Sequence, residues 1–233
     1  MPLIEFRDLT LRGIGRSPDA PPILDSITLS LSEHRIGIIG ANGSGKSSLV
    51  RCINGLNIPD EGEVTVDGLS TAKRAGDIRR QVGFLFSNAD NQIIMPTVAE
   101  DVAFSLRSQK LPRTETARRV DAALERFGLA ELADRSAHDL SGGQKQLLAL
   151  CGAFVRRPEL VIADEPTAAL DARNARRIAD HLFAAVDTRL LLVTHDLGLA
   201  RRCESAVHVA GGTIVDAGAP EEVIAAYEDT LRC

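Results

Sequence analysis

The spacing of hydrophobic residues along the chain changes near residues 97 and 158, and each stretch predicts different secondary structure. The first stretch has short runs of Val, Ile and Leu separated by Gly, Pro and polar residues, a pattern typical of strands and turns. We predict strands here at residues 3–7, 23–31, 35–39 and 63–66, with a loop at residues 12–22.

In the second stretch, from residue 97 to about residue 156, apolar residues recur every three or four positions, which predicts helices. Thr97 is predicted to cap the first of these helices, because its hydroxyl can accept an N–H group of the first turn. A later helix is predicted to stop at Gly128, because glycine tolerates the backbone conformation common at helix C-termini.

In the third stretch, strand and helix patterns alternate, which is typical of a parallel sheet covered by helices. The predicted strands are residues 160–163, 189–194 and 206–210, and the predicted helices lie near residues 171–186, 196–203 and 220–231.

These patterns predict an α/β fold built as a single domain over residues 1–233. Its core and a β subdomain would be formed by about residues 1–87 and 158–233. The helical stretch, about residues 88–157, would be a subdomain inserted between the two parts of the core.

Composition narrows the possible functions. The chain of 233 residues has a net charge of −5, so no basic surface for nucleic acid is expected. No apolar run approaches the ~20 residues that a membrane helix needs, and the N-terminus lacks the pattern of a signal peptide. The cysteines are far apart without a Cys-x-x-Cys pair, so free buried thiols are expected at Cys52, Cys151, Cys203 and Cys233.

A phosphate-binding loop is predicted at "GANGSGKS", residues 40–47, which matches G-x-x-x-x-G-K-[ST] between a predicted strand and helix. Its glycines let backbone N–H groups surround a phosphate, and the helix N-terminus adds partial positive charge. Lys46 would reach the β- and γ-phosphates and Ser47 would ligate Mg²⁺. The alternative is a glycine-rich turn with an incidental lysine. The residues predicted to bind the nucleotide here are Gly40, Ala41, Asn42, Gly43, Ser44, Gly45, Lys46, Ser47 and Ser48.

A pair of acids follows a hydrophobic strand in "LVIADEP". Open α/β sheets bind their ligands at the carboxyl ends of the strands, so these acids are placed to serve the nucleotide. Asp164 would hold Mg²⁺ and Glu165 would polarise the attacking water. A solvated turn is the alternative interpretation.

A second site for anions is predicted where "DLSGGQKQLLAL", residues 139–150, opens a helix with two glycines. The first N–H groups of a helix have no partner within it, so they can bind an anion. Because the chain already has a phosphate loop, this second site is expected to serve a nucleotide bound mainly by another copy.

These motifs, in this order, resemble those of the ATP-binding cassette (ABC) ATPases. The matching segments are residues 40–47, the loop after Phe86, "LSGGQ" at 140–144, "LVIADEP" at 160–166, "ALD" at 169–171 and "TH" at 194–195. The resemblance implies a P-loop NTPase core with a parallel sheet, an N-terminal antiparallel β subdomain and an inserted α-helical subdomain. It also implies ATP hydrolysis by two cassettes that pair head to tail around two ATP molecules.

The resemblance assigns roles to further residues. Asp171 would link the two sites across the dimer interface, and His195 would contact the γ-phosphate and hold the water geometry. The catalytic set implied is Lys46, Glu165 and His195. The residues implied to grip the γ-phosphate of the opposite subunit are Ser141, Gly142, Gly143 and Gln144.

One branch of the family is favoured by "FSNADNQ" (residues 86–92) and "TVAEDVAF" (97–104), which resemble the ATPases of energy-coupling-factor (ECF) vitamin and metal transporters. Biotin is the first substrate considered, with cobalt, nickel or another vitamin as alternatives. The resemblance implies a homodimer or paired ABC ATPase, a transmembrane coupling protein and a small membrane substrate-binding protein, with no nucleic acid. The chain would lie peripherally at the cytoplasmic face of the membrane.

Three positions depart from the family pattern. Ser87 stands where a glutamine commonly senses Mg²⁺, and we hypothesise that a water bridges Ser87 to the metal, with substitution by Asn88 or Gln92 as the alternative. The aromatic residue that stacks on adenine is missing, so Arg12 would stack on the base or base discrimination would be weak. Leu147 replaces an arginine that commonly follows the signature.

Two other functions stay open at this stage. One is a soluble, non-transport ABC ATPase of DNA maintenance, translation or cluster assembly, although the chain has neither a long coiled-coil insertion nor a second cassette. The other is the ATPase of a conventional ABC importer or exporter.

Overall fold

The computed structural model describes residues 3–13 and 20–232, and within these ranges the chain divides into two compact units. The first unit contains the described residues up to 82 together with residues 189–232, and the second contains residues 83–188. Most of the loop predicted at residues 12–22 lies outside the described residues, as does Cys233.

The strands and helices of the described chain carry the following bounds. The strands are β1 (Ile4–Leu11), β2 (Leu24–Leu31), β3 (Arg35–Ile39), β4 (Glu61–Val66), β5 (Leu69–Ser70), β6 (Val82–Leu85), β7 (Leu160–Asp164), β8 (Arg189–Val193), β9 (Ser205–Ala210) and β10 (Thr213–Gly218). The α-helices are α1 (Lys46–Ile53), α2 (Thr71–Gln81), α3 (Val98–Ser105), α4 (Arg113–Phe127), α5 (Gly142–Phe154), α6 (Ala172–Phe183), α7 (Leu197–Ala200) and α8 (Pro220–Thr230).

An antiparallel sheet of order β2-β1-β4-β5 occupies part of the first unit. Strand β1 pairs antiparallel with β2 on one side and with β4 on the other. Its side chains Ile4, Phe6 and Leu9 are buried. This sheet is the N-terminal antiparallel subdomain that the family resemblance implies.

A second sheet in the same unit has the order β10-β9-β3-β8. Strand β3 lies parallel to both β8 and β9, and β10 closes the edge antiparallel to β9. The runs "RIGII" and "LLLV" are buried almost throughout, as expected for central parallel strands. Helix α7 packs on β3, and α8 packs on β9 and β10. The carboxyl ends of β3 and β8 therefore lie side by side.

The second unit combines the neighbouring strands β6 and β7 with four helices. Helix α5 contacts α3, α4 and α6, and it is buried at every position from Gln146 to its end. Thr97 forms a capping box with Glu100 at the start of α3. Gly128 ends α4 with a φ of 66°. Both predicted helix boundaries are confirmed.

The predicted α/β fold with parallel strands, an antiparallel sheet and a helical segment is confirmed. Helix α2 was not predicted, because Thr71 and Ile78 are its only buried residues and no apolar period shows. The second unit includes β7 and α6 besides the predicted insert, and the single domain with an insert at 88–157 stays a prediction. Within the described ranges, no helix combines the length and the apolar character that crossing a membrane requires.

The cysteines of the described chain are free and buried, as expected. Burial raises the pKa of Cys52, Cys151 and Cys203 to about 12. Because the thiolate is the reactive form, these side chains act as small apolar groups.

Candidate active site

The predicted phosphate loop lies in the first unit, between β3 and α1. Gly40 has a φ of 143°, and a Cβ there would lie 2.1 Å from the carbonyl oxygen of Val209. Gly45 has a φ of 110°, and a Cβ there would lie 2.9 Å from Cδ2 of Leu24. Both positions therefore require glycine for conformation and for space, and the loop backbone follows a path that other residues would not adopt.

Lys46 is the first residue of α1, and its side chain is held inside the loop. The residue is only 6% exposed. Its ammonium donates hydrogen bonds to the carbonyl oxygens of Gly40 at 2.8 Å and Ala41 at 2.9 Å. A buried cation needs such acceptors to offset lost hydration. The structure thus places a positive charge against the loop backbone.

Ser44 carries a hydroxyl that the protein itself does not satisfy. Its Oγ is buried and has no hydrogen-bond partner in the described part of the chain. The Ser44 backbone is fixed on both sides, because its N–H donates to Ala41 O and its carbonyl accepts from the N–H of Gly212. No side chain caps the N-terminus of α1. An orphaned hydroxyl beside uncapped N–H groups fits a phosphate-bearing ligand.

His195 is brought to the same edge of the sheet as the loop. Strands β3 and β8 are parallel neighbours, with Ile38 opposite Val193. Gly40 and His195 each follow their strand partner by two residues, and neighbouring strands lie ~4.8 Å apart. The Thr194 N–H donates to the Ile38 carbonyl at 3.1 Å, which extends the ladder to the residue before His195. The imidazole is exposed.

The predicted carboxylate pair lies in the second unit, at the carboxyl end of β7. Asp164 is 1% exposed, which argues against the alternative of a solvated turn. Glu165 follows it with a φ of 51°, in the left-handed region that a residue with a side chain seldom adopts. Such strain is concentrated at functional sites. The backbone here turns abruptly, directly after a buried acid.

Ser87 is exposed in the loop that follows β6. The nearby amides have other partners: Asn88 Oδ1 accepts the N–H of Asp90 at 2.9 Å, and Gln92 Oε1 accepts the N–H of Phe86 at 3.3 Å. The Gln92 amide nitrogen also donates to a carbonyl of α5 at 3.2 Å. Both amides therefore hold the loop itself, which weighs against either one replacing the glutamine that Ser87 lacks.

The same loop is fastened to the first turns of α5 by two side chains that sequence reasoning missed. Lys145 Nζ forms an ion pair with Asp90 at 2.7 Å. Gln146 is buried and its amide donates to the Phe86 carbonyl at 3.3 Å. A polar glutamine at a buried helical position was the available sequence signal.

The "SGGQ" signature forms the first turn of α5. Ser141 is the N-cap, and its hydroxyl accepts the N–H of Gln144 at 3.4 Å. In return, Gln144 Oε1 accepts the N–H of Ser141 at 2.9 Å. This reciprocal capping box fixes the turn, while Gly142 is exposed and a Cβ there would meet no atom within 4 Å.

Asp171 is the N-cap of α6, and it is bound by a residue that sequence reasoning missed. Its Oδ1 accepts the N–H of Asn174 at 2.9 Å, and its Oδ2 accepts the Asn174 side-chain amide at 2.6 Å. Both bonds lower the pKa of Asp171, and the backbone bond has the larger effect. The spacing Asp-x-x-Asn at a helix start was the sequence signal for this pair.

Arg12, the alternative partner for adenine, is engaged elsewhere in the described chain. Its N–H donates to Asp60 Oδ2 at 2.7 Å, and its guanidinium lies 3.5 Å from Glu61 Oε1. Stacking on a base would require the side chain to leave Glu61, so this role stays a prediction.

Comparison with known proteins decides the family. The family described as ABC transporter matches residues 24–168, which is more than half of the chain. The chain belongs to the ABC transporter family. This cassette is accordingly an ATPase whose hydrolysis of ATP is coupled to transport, and the family binds ATP, generally with Mg²⁺. The resemblance inferred from the ordered motifs is confirmed.

Relatives match this ABC protein along nearly its whole length. A Deinococcus radiodurans protein described only as an ABC transporter ATP-binding protein is 43% identical over 96% of this chain and 98% of its own. The biotin transport ATP-binding protein BioM of Rhizobium etli is 39% identical over 95% and 98%. The energy-coupling factor transporter ATP-binding protein EcfA1 of Bacillus licheniformis is 37% identical over 99% and 83%.

Solved structures agree with the fold of this ABC cassette. The cbiO1 protein of Clostridium perfringens, part of the ABC transporter complex cbiONQ, superposes with a TM-score of 0.82 at 30% identity, covering 98% of this chain and 92% of that one. The ATP-binding cassette MJ0796, in a dimeric post-hydrolysis state with ADP and phosphate, gives a TM-score of 0.85 at 28% identity over 93% and 98%.

Proposed function

We propose that this chain is the ATP-hydrolysing subunit of an ECF-type importer, and that it works as a dimer of cassettes bound to a transmembrane partner. The ATPase part of the proposal is supported by the phosphate loop, because buried Lys46 and the unsatisfied hydroxyl of Ser44 fit a polyphosphate. The importer part is supported by relatives named EcfA1 and BioM and by a structural neighbour from a transporter complex.

In the proposed reaction, a water molecule attacks the γ-phosphorus of ATP and the bond to the bridging oxygen breaks, giving ADP and phosphate. Lys46 would stabilise negative charge on the β- and γ-phosphates, as such lysines do in P-loop enzymes. Glu165 would orient and polarise the water, and His195 would contact the γ-phosphate. Loop N–H groups and the N-terminus of α1 would hold the phosphates.

The proposed metal ligands are the hydroxyl of Ser47 and the carboxylate of Asp164, with Ser87 acting through a water. When bound, Mg²⁺ supplies charge neutralisation at the β- and γ-phosphate oxygens. A buried carboxylate and a hydroxyl at the end of a phosphate loop are the oxygen ligands that Mg²⁺ prefers. The site residues Gly40–Ser48 would bind the rest of the triphosphate.

The second nucleotide contact would come from the partner cassette. Ser141, Gly142, Gly143 and Gln144 are proposed to contact the γ-phosphate held by the opposite copy. The open space over Gly142 supports this, because a ligand can approach the backbone of the first turn of α5 closely. The dimeric state of the neighbour MJ0796 supports pairing between cassettes.

The proposed transport partners are a transmembrane coupling protein and a small membrane protein that binds the substrate. Biotin is the first substrate to test, since a relative matching 95% of this chain is named for biotin transport. Cobalt, nickel and other vitamins are the next candidates. The chain would bind peripherally at the cytoplasmic face of the membrane through this partner.

The experiment is purification of the native complex from its own membranes in mild detergent, with identification of the co-purifying proteins by mass spectrometry. A transmembrane scaffold together with a small, very hydrophobic binding protein would support the proposal, and the ligand of the small protein would identify the substrate. Paired transmembrane domains of a conventional ABC transporter would contradict the ECF assignment. Recovery in the soluble fraction without a membrane protein would contradict the transport role.

A further inference from the structure

We infer that Asn174 is a positioning residue that fixes Asp171 and the first turn of α5 in one arrangement, so that both can act on the partner cassette together. The inference rests on the dimer proposed above, in which the signature turn meets the other copy, and on the role across the dimer interface that the family resemblance implies for Asp171. Asn174 lies outside the family motifs in the sequence. In the structure its side chain lies between Asp171 and the signature turn.

The contact with Asp171 uses both oxygens of the carboxylate. One accepts the backbone N–H of Asn174 at 2.9 Å, and the other accepts its side-chain amide at 2.6 Å. A carboxylate bound at both oxygens by one residue cannot rotate without breaking a charge-assisted hydrogen bond. Asp171 is exposed, so hydrogen bonds rather than burial hold it in place, and the side chain of Asn174 supplies the bond to Oδ2.

The contact with the signature turn is one of close packing. A Cβ at Gly143 would lie 2.5 Å from Cγ of Asn174 and 2.7 Å from both its Nδ2 and its Oδ1. The equal distances to nitrogen and oxygen show that the flat face of the amide covers the place that a side chain at Gly143 would occupy. Gly143 is buried although it is the second residue of a helix.

The two glycines of the signature thus have different reasons to be glycine. Position 142 faces open space, which suits an incoming ligand, while position 143 is filled by Asn174. Gly143 has an ordinary helical φ, so a side chain there would meet only a steric obstacle. The packing of Asn174 on Gly143 therefore fixes the position of the N-terminus of α6 against the N-terminus of α5.

The test compares Asn174→Ala and Asn174→Asp with Arg176→Ala, an exposed position on the same helix. ATP-driven dimerisation is measured by analytical ultracentrifugation in a Glu165→Gln background, where the ATP-bound dimer should persist. We expect Asn174→Ala to weaken dimerisation by about tenfold or more, as for loss of a hydrogen bond to a charged group. Asn174→Asp should weaken it further through repulsion with Asp171, and Arg176→Ala should match the parent.

Two further measurements separate positioning from simple folding. Binding of ATP to the monomer should be unchanged in Asn174→Ala, because the phosphate loop is untouched. Steady-state hydrolysis should be low in Gly143→Ala and in Asn174→Ala, and the double variant should lose less than the two losses combined, because removing the amide also removes the obstacle to the alanine. Such non-additivity is the mark of direct coupling.

An unchanged dimerisation constant in folded Asn174→Ala would overturn the inference, as would additive effects in the double variant. A fall in thermal stability with normal dimerisation of the folded chain would reduce Asn174 to a structural role and overturn it equally. A wild-type chain that hydrolyses no ATP would overturn the proposed function. An active wild type in which Asn174 can be replaced without effect would overturn this inference alone.

Discussion

Replacing Ser44 by alanine should stabilise the nucleotide-free protein and weaken its binding of ATP. The Ser44 hydroxyl is buried without a partner in the described chain. A buried, unsatisfied polar group costs about 1–3 kcal/mol, and Ser44→Ala removes that cost while leaving almost no cavity. For a chain of this length, each kcal/mol corresponds to about 2–4 °C in Tm.

The same change should remove a hydrogen bond to a phosphate oxygen. Hydrogen bonds to charged groups contribute about 1.5–3 kcal/mol, so the Kd for ATP should rise about 10- to 100-fold. ATP at 100 times its Kd stabilises the wild type by about 2.7 kcal/mol. The variant should thus be more stable than the wild type without ATP, and it should lose that advantage as ATP is added.

The assay is thermal unfolding over a series of ATP concentrations with Mg²⁺ present, with Ser205→Ala as the matched control. Ser205 also has a buried hydroxyl without a partner in the described residues, but it lies at the start of β9 rather than in the loop. It should give the stability gain without the loss of affinity. If Ser44→Ala melts lower than the wild type without nucleotide, the reasoning about its unsatisfied hydroxyl is refuted.

The remaining predictions concern other parts of the chain. Glu165→Gln should keep ATP binding and lower kcat about 10²- to 10⁴-fold, as for loss of a general base, and unaltered turnover would remove Glu165 from the mechanism. Thr97→Ala should cost about 0.5–2 kcal/mol by loss of the α3 capping box, measured by urea unfolding, whereas Thr116→Ala within α4 should cost less. Hydrogen bonds from Arg118 and then Arg119 lower the pKa of Glu115 from 4.5 to about 2. Because the folded pKa is the lower one, the stabilisation is present above pH 4.5 and is lost as the pH falls toward 2, so Glu115→Gln should flatten the dependence of Tm on pH there. An unchanged slope would show that the exposed pairs contribute nothing measurable.

The structure agrees best with the sequence predictions at positions where the residue type has one dominant physical use. Gly40 and Lys46 lie where a buried strand leads through a loop into a helix, as the motif predicts, while their binding of phosphate stays a prediction. Gly128 ends its helix as predicted. Helix α2 was missed, since it buries almost nothing and so leaves no hydrophobic period to detect.

Side-chain pairings between distant motifs could not be predicted. The bond from Gln146 to the carbonyl of Phe86 joins residues 60 positions apart. The packing of Asn174 on Gly143 likewise depends on how α5 and α6 meet, which no local pattern records. Asn88 and Gln92 looked available for the metal in the sequence, yet backbone groups of their own loop occupy them.

The start of α5 is where these unpredicted contacts converge. The loop after β6 reaches it through the ion pair of Asp90 with Lys145 and the bond from Gln146. Asp171, the residue before α6, is connected to the same turn through Asn174, which binds Asp171 and packs on Gly143. A displacement of either segment must therefore move the signature turn or break a specific contact. Two of the polar residues that follow β6, Asp90 and Gln92, thus serve attachment to α5, which explains part of the polarity of residues 87–92.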